Sequence, residues 1–218
     1  MGTLQILKQT EHFARMHLSK DITGGHDWLH IERVLNNAKL ICKSEKAEWF
    51  IVALGVMLHD VGDYKITGTI EDDYSIAENF LISQKLDNNT LEQVVYIIKN
   101  ISFRSSFEKK KVSQPIEFQI VQDSDRLDAM GAIGIARAFA YGGSKSRAIY
   151  NPLIKLNSVK SKKDYKTLET SSLHHFYEKL FLLKDLMNTK TAKRIALRRH
   201  TYMQKFVEQF LHEWKGEL

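Results

Sequence analysis

Residues 51–58 read IVALGVML, eight apolar or small side chains in a row, and the run ends abruptly in His59 and Asp60, with Asp63 and Lys65 close behind. A segment that apolar belongs inside a core. The chain thus carries an imidazole and a carboxylate to the edge of its own interior. Burying either group without a partner is costly, so the pair demands a compensating group.

The surrounding chain reads as all-α, a helical bundle. Only two prolines and 11 glycines punctuate 218 residues, and hardly any segment alternates with period two. Helices are predicted over about 3–18, with Leu4, Leu7, Phe13 and Leu18 on one side, and over about 26–43, with Leu29, Val34, Ala38 and Ile41 as a core stripe. Further helices follow over 46–60, 72–84 and 88–101. The segment after Pro115 gives one or two buried helices closed by Gly142 and Gly143, and helices over 171–185 and 189–214 finish the chain. In the final helix Phe206, Phe210 and Trp214 stand at helical spacing, as an intramolecular core stripe does. The length suits a single domain over 1–218. A basic stretch at about 142–168 is its candidate excursion or lid, since long loops are usually functional or disordered.

Composition removes several function classes. No apolar stretch approaches the ~20 residues of a membrane span. Charges interrupt what would be the apolar region of a signal peptide, so a cytoplasmic protein is expected. The lone Cys42 excludes an internal disulfide or a cysteine-built zinc site. The net charge of +6 suggests affinity for anions. Lysines 109–111 and Lys155, Lys160, Lys162, Lys163 and Lys166 concentrate it in predicted loops, as solvated surface or as guidance for a phosphate-bearing ligand.

A divalent metal is the compensating group that lets a neutral imidazole and an ionised carboxylate sit together. Two neighbouring residues do not complete a shell, and other helices offer the rest. In HDWLHIERV, His26, His30 and Arg33 share one helical face. In QIVQDSDRLDAMG, an apolar run again ends in acids, Asp123, Asp125 and Asp128. Each signal alone has an ordinary reading: a surface histidine pair, a chance His-Asp neighbour, or an N-cap with first-turn carboxylates. Together they give one His from the second helix, the His59-Asp60 pair and one Asp from the later helix, a mixed N/O shell with positions open to water and substrate.

HDWLHIERV, LHDVGDYK and QDSDRLDAMGAIGIAR resemble, in order and spacing, the successive motifs of the HD-domain superfamily of metal-dependent phosphohydrolases. The C-terminal SSLHHFYEKL through FVEQF is similar to a subgroup of small bacterial members resembling nucleotide pyrophosphohydrolases. This resemblance implies His30, His59, Asp60 and Asp125 as the metal ligands and leaves His26 as a substrate contact or as a support behind the ligands. Members with two metals carry extra histidines where this chain has VVYIIKNISFR, so one divalent ion is expected, manganese first, with magnesium, nickel, cobalt or iron as alternatives.

An open mononuclear site in basic surroundings suits phosphoryl transfer. Arg33, Lys65, Lys99 and Arg104 are the candidate phosphate contacts, and Asp63 or Asp128 the candidate proton acceptor. The expected reaction is hydrolysis of a nucleoside triphosphate to monophosphate and pyrophosphate; a nucleotidase or phosphodiesterase would use the same site. A non-catalytic module holding RNA or a regulatory nucleotide is the alternative of another class, with the Phe103–Lys111 stretch as its aromatic and basic element. A nucleotide is the expected partner, and neither a membrane nor a nucleic acid is. The sequence does not set the oligomeric state.

Overall fold

The computed structural model describes residues 2–18, 27–62, 73–101, 114–154 and 171–217. Among them no strand occurs, and the chain is all-α as expected. It divides into two compact units, Met1–Asp125 and Arg126–Leu218.

The first unit is organised around α3, Trp49–Leu58, whose residues from Ile51 to Leu58 are all buried. A helix apolar on every side must be surrounded. Here α1 (Thr3–Leu18), α2 (Trp28–Glu45) and α5 (Asn88–Asn100) pack against it, while α4 (Ser75–Ser83) lies on α5. Gly55 permits the closest approach: a Cβ there would sit 3.1 Å from Ile97 Cγ2 and 3.3 Å from Val121 Cγ2. Val121 belongs to α6, Ile116–Asp128.

The core stripe of α1 differs from expectation by register, while that of α2 keeps Val34, Ala38 and Ile41 and loses only Leu29. In α1 it falls on Ile6, Thr10, Ala14 and Leu18, strictly four apart, and Leu4 faces solvent. In α2, Leu29 is exposed and His30, Ile31, Val34, Ala38 and Ile41 are buried. The stripe therefore passes through a histidine, which an apolar-only reading skips. Asp27 caps α2, its carboxylate accepting from the His30 amide at 2.8 Å.

The second unit contains α7 (Gly131–Ser144), α8 (His174–Glu178), a 3-10 helix (Leu180–Leu186) and α9 (Lys190–Trp214). Two expectations change here. Gly142 and Gly143 do not close α7, which runs on to Ser144. Gly142 instead lies against Ser172, where a Cβ would overlap the hydroxyl. The helix expected over 171–185 breaks at Lys179 and continues as a 3-10 turn burying Leu180 and Leu183, which eclipse three residues apart. Phe206 and Phe210, both half-buried, pack with Phe139, and Phe176 packs with Phe206, so these two make intramolecular contacts as expected. Trp214, in contrast, is 52% exposed, and the fully inward face of α9 is Ala192, Ala196, Met203 and Val207. The expected excursion lies outside the described residues from 155 onward. No helix among the described residues is long and apolar enough to cross a membrane.

Candidate metal centre

Four side chains from three segments of the first unit converge at the end of α3. His30 lies in the first turn of α2, positioned by the Asp27 cap. His59 is the C-cap just past Leu58, the last residue of α3, and Asp60 follows it in the turn, so the end of the helix lets both side chains swing to one point. That turn closes on Gly62, whose φ of 98° is left-handed and whose carbonyl accepts from the Asp73 amide at 2.8 Å. Asp125 comes from the last turn of α6. Asn37, on the His30 face of α2, donates to the Ser124 carbonyl at 3.2 Å and ties α2 to α6 beside that carboxylate.

The donor atoms lie close together. His30 Nε2 is 3.4 Å from His59 Nε2, 3.5 Å from Asp60 Oδ2 and 3.5 Å from Asp125 Oδ1. His59 Nε2 is 3.4 Å from Asp60 Oδ1 and 3.8 Å from Asp125 Oδ1. The triangle of the two imidazole nitrogens and Asp125 Oδ1 has its centre about 2.1 Å from each corner, an ordinary bond length from such donors to a divalent metal. His59 Nδ1 donates to the Val56 carbonyl at 2.8 Å. A carbonyl only accepts, so the proton sits on Nδ1 and the Nε2 lone pair points into the cluster, the form a metal ligand needs. The donor set fits one divalent cation. His30, His59 and Asp60 are buried, whereas the Asp125 side chain keeps 38% of its surface, so the cluster opens past that carboxylate.

The acids of α6 occupy its last turns, against the N-cap reading of Asp123 or Asp125. The helix dipole disfavours carboxylates at that end, so something else must hold them there. Asp123 is fully buried. Asp128, in the second unit, pairs with Arg137 Nη1 at 2.6 Å and is also buried. Among the candidate phosphate contacts, Arg33 is half-buried on α2, and Lys99 makes a surface ion pair with Glu78 of α4 at 2.6 Å. His26, Asp63, Lys65 and Arg104 lie outside the described residues.

Sequence reasoning missed Asp27, Asn37 and the Val56 carbonyl. Asn37 had a signal, being polar seven residues after His30 and thus on the same face. Burial first, then Glu117, pushes the thiol of the lone Cys42 up to about 11, away from the thiolate form.

A histidine of one helix, an adjacent His-Asp pair at the end of a buried helix and a later aspartate define an HD-domain protein. The chain belongs to that family, whose model, described as HD domain, matches residues 28–130. YpgQ of Bacillus subtilis, described as uncharacterized, is 37% identical over 212 residues, 96% of each chain. A crystal structure of YpgQ in complex with ADP superposes with a TM-score of 0.73 at 34% identity, covering 95% of this chain and 96% of that one. A Lactobacillus plantarum protein gives a TM-score of 0.83 at 36% identity, over 99% of this chain and all of that one. An HD-superfamily hydrolase of Bacillus thuringiensis gives 0.75 at 38% identity, over 98% and 99%.

Proposed function

We propose that this protein is a metal-dependent phosphohydrolase that cleaves nucleoside triphosphates to monophosphate and pyrophosphate. The observation that carries the metal-dependent part is the clustering around two imidazole nitrogens. His30 Nε2 lies 3.4–3.5 Å from donor atoms of His59, Asp60 and Asp125, and His59 Nε2 lies 3.4 Å from Asp60 and 3.8 Å from Asp125, with Asp125 exposed on one side. The family supports hydrolysis, and the ADP complex of YpgQ supports a nucleotide.

A divalent ion held there, manganese first among the candidates, supplies charge neutralisation at a phosphoryl oxygen and a more acidic water. The four side chains set where the phosphorus comes to rest, and the buried His-Asp pair keeps bulk water from its inner side. In the proposed reaction a water oxygen bonds to the α-phosphorus, and the bridging oxygen departs with pyrophosphate. The water's proton passes to Asp63 or Asp128; of these, Asp128 pairs with Arg137 Nη1 at 2.6 Å. Arg33, Lys65, Lys99, Arg104 and His26 are proposed to hold the remaining phosphates and the nucleoside, with Lys99 exchanging Glu78 for a phosphate.

The deciding experiment supplies metal-stripped protein with manganese or magnesium and a panel of nucleoside mono-, di- and triphosphates, scoring orthophosphate and pyrophosphate separately. Pyrophosphate release from triphosphates, lost in Asp60→Ala, is the expected result. Orthophosphate from monophosphates would transfer the function to a nucleotidase. Turnover of neither, with metal still bound, would overturn the nucleotide assignment.

A further inference from the structure

The solvent face of α9 carries an accumulation of positive charge that the metal centre does not use. From Lys190 to Lys205 the chain contains no acidic residue. Lys190, Lys193, Arg194, Arg198 and Lys205 are all exposed. At about 100° per residue they fall within an arc of roughly 140°. Among the described residues no hydrogen bond or ion pair engages any of their side chains.

This arrangement opposes the helix that carries it. Lys190–Arg194 and Arg194–Arg198 are like-charge pairs four apart, which repel. Lys190, Lys193 and Arg194 crowd the end of α9 where unpaired amides already make the helix positive, and no acid stands in its first turn. An external polyanion relieves both penalties at once. Two apolar side chains are interleaved with the cations, Leu197 at 59% and Tyr202 at 55% exposure. An exposed tyrosine ring beside a cationic track offers a surface on which a base can stack. The opposite face is committed, with Ala192, Ala196, His200, Met203 and Val207 buried, so α9 has no free apolar face to insert in a membrane.

We propose that the solvent face of α9, from Lys190 to Lys205, is a docking surface for single-stranded nucleic acid, its cations tracking phosphates and Tyr202 stacking on a base. This surface is separate from the reading of the metal centre, and its test needs no turnover.

Fluorescein-labelled oligouridylate and oligothymidylate would be titrated with the full chain, in chelator, by fluorescence anisotropy. Five phosphate contacts at a slope of about −0.7 each predict a loss of roughly 100-fold in affinity between about 50 and about 200 mM salt. The double variant Arg194→Glu/Arg198→Glu should bind at least ~10-fold more weakly with a shallower salt slope, while Arg194→Lys/Arg198→Lys stays near wild type. Tyr202→Ala should lose about fivefold or more with the slope unchanged. Circular dichroism and the metal-induced rise in Tm, retained in each variant, show that the fold is intact. Binding by Arg194→Glu/Arg198→Glu equal to wild type, or none at low salt, overturns the proposal. Equal capture of polyglutamate or anionic vesicles, with Tyr202→Ala neutral, overturns it in favour of an acidic protein or a lipid surface.

Discussion

Gly62 holds the turn that aims Asp60. Its φ is left-handed, and a Cβ would overlap the Asp73 carbonyl oxygen. Gly62→Ala is therefore expected to cost about 2–4 kcal/mol in a urea titration, from backbone strain and overlap together. It should also weaken metal binding although it removes no ligand; an alanine variant as stable as wild type would show that the turn adapts. His175 contributes to the acid side of the stability profile. Burial first, then Lys179 and Arg147, pull its pKa down to about 3. Between the unfolded value of 6.5 and that value the unfolded chain binds a proton that the folded chain refuses. Stability is thus full above pH 6.5 and falls on acidification, by on the order of 1–2 kcal/mol at pH ~5. His200, lowered by burial first and then Lys184, acts in the same direction. His175→Gln should shrink the loss in Tm between neutral pH and pH ~5; an unchanged loss would assign it to other groups.

Each helix near the site has its own local device. Asp27→Ala removes the cap of α2 and should cost about 1 kcal/mol by urea denaturation. It should also lower metal affinity, because His30 stands three residues from the cap; a stability loss with affinity intact would separate the two roles. The helices of the first unit were legible in the sequence because apolar periodicity and caps agree there. The core register was less so, since His30 and Asn37 occupy inward positions that an apolar pattern leaves blank. The metal ligands were legible for the reason that made the stripes hard to read: polar groups at the borders of apolar runs need a buried partner. The break at Lys179 had no comparable signal. LFLLKDL is apolar on almost every side, so no single period distinguishes an α from a 3-10 turn there.

At the scale of the whole chain, the four donors belong to one unit and depend on its central helix. A bound ion that favours the folded state stabilises it by about 2.7 kcal/mol at 100-fold excess over Kd. Manganese should therefore raise Tm, chelator should reverse the rise, and Asp60→Asn should abolish it. A Tm indifferent to every divalent ion would leave the cluster a paired polar core group. In the second unit the aromatic spacing of α9 pointed to the half-buried Phe206 and Phe210 but not to the buried face of Ala192, Ala196, Met203 and Val207. The partner rings Phe139 and Phe176 are far away in sequence and no local pattern announces them.

The unequal exposure of the four donors bears on time rather than affinity. Among the four proposed ligands three are buried and Asp125 alone keeps substantial exposure, so exchange of an ion is expected past that carboxylate. On the proposed ligand set, Asp125 is expected to govern how long an ion resides, and Asp60 how tightly it is held. Asp125→Asn should lose its metal to chelator in stopped flow much faster than wild type, and the enzyme would be retuned by dwell time before it is retuned by occupancy.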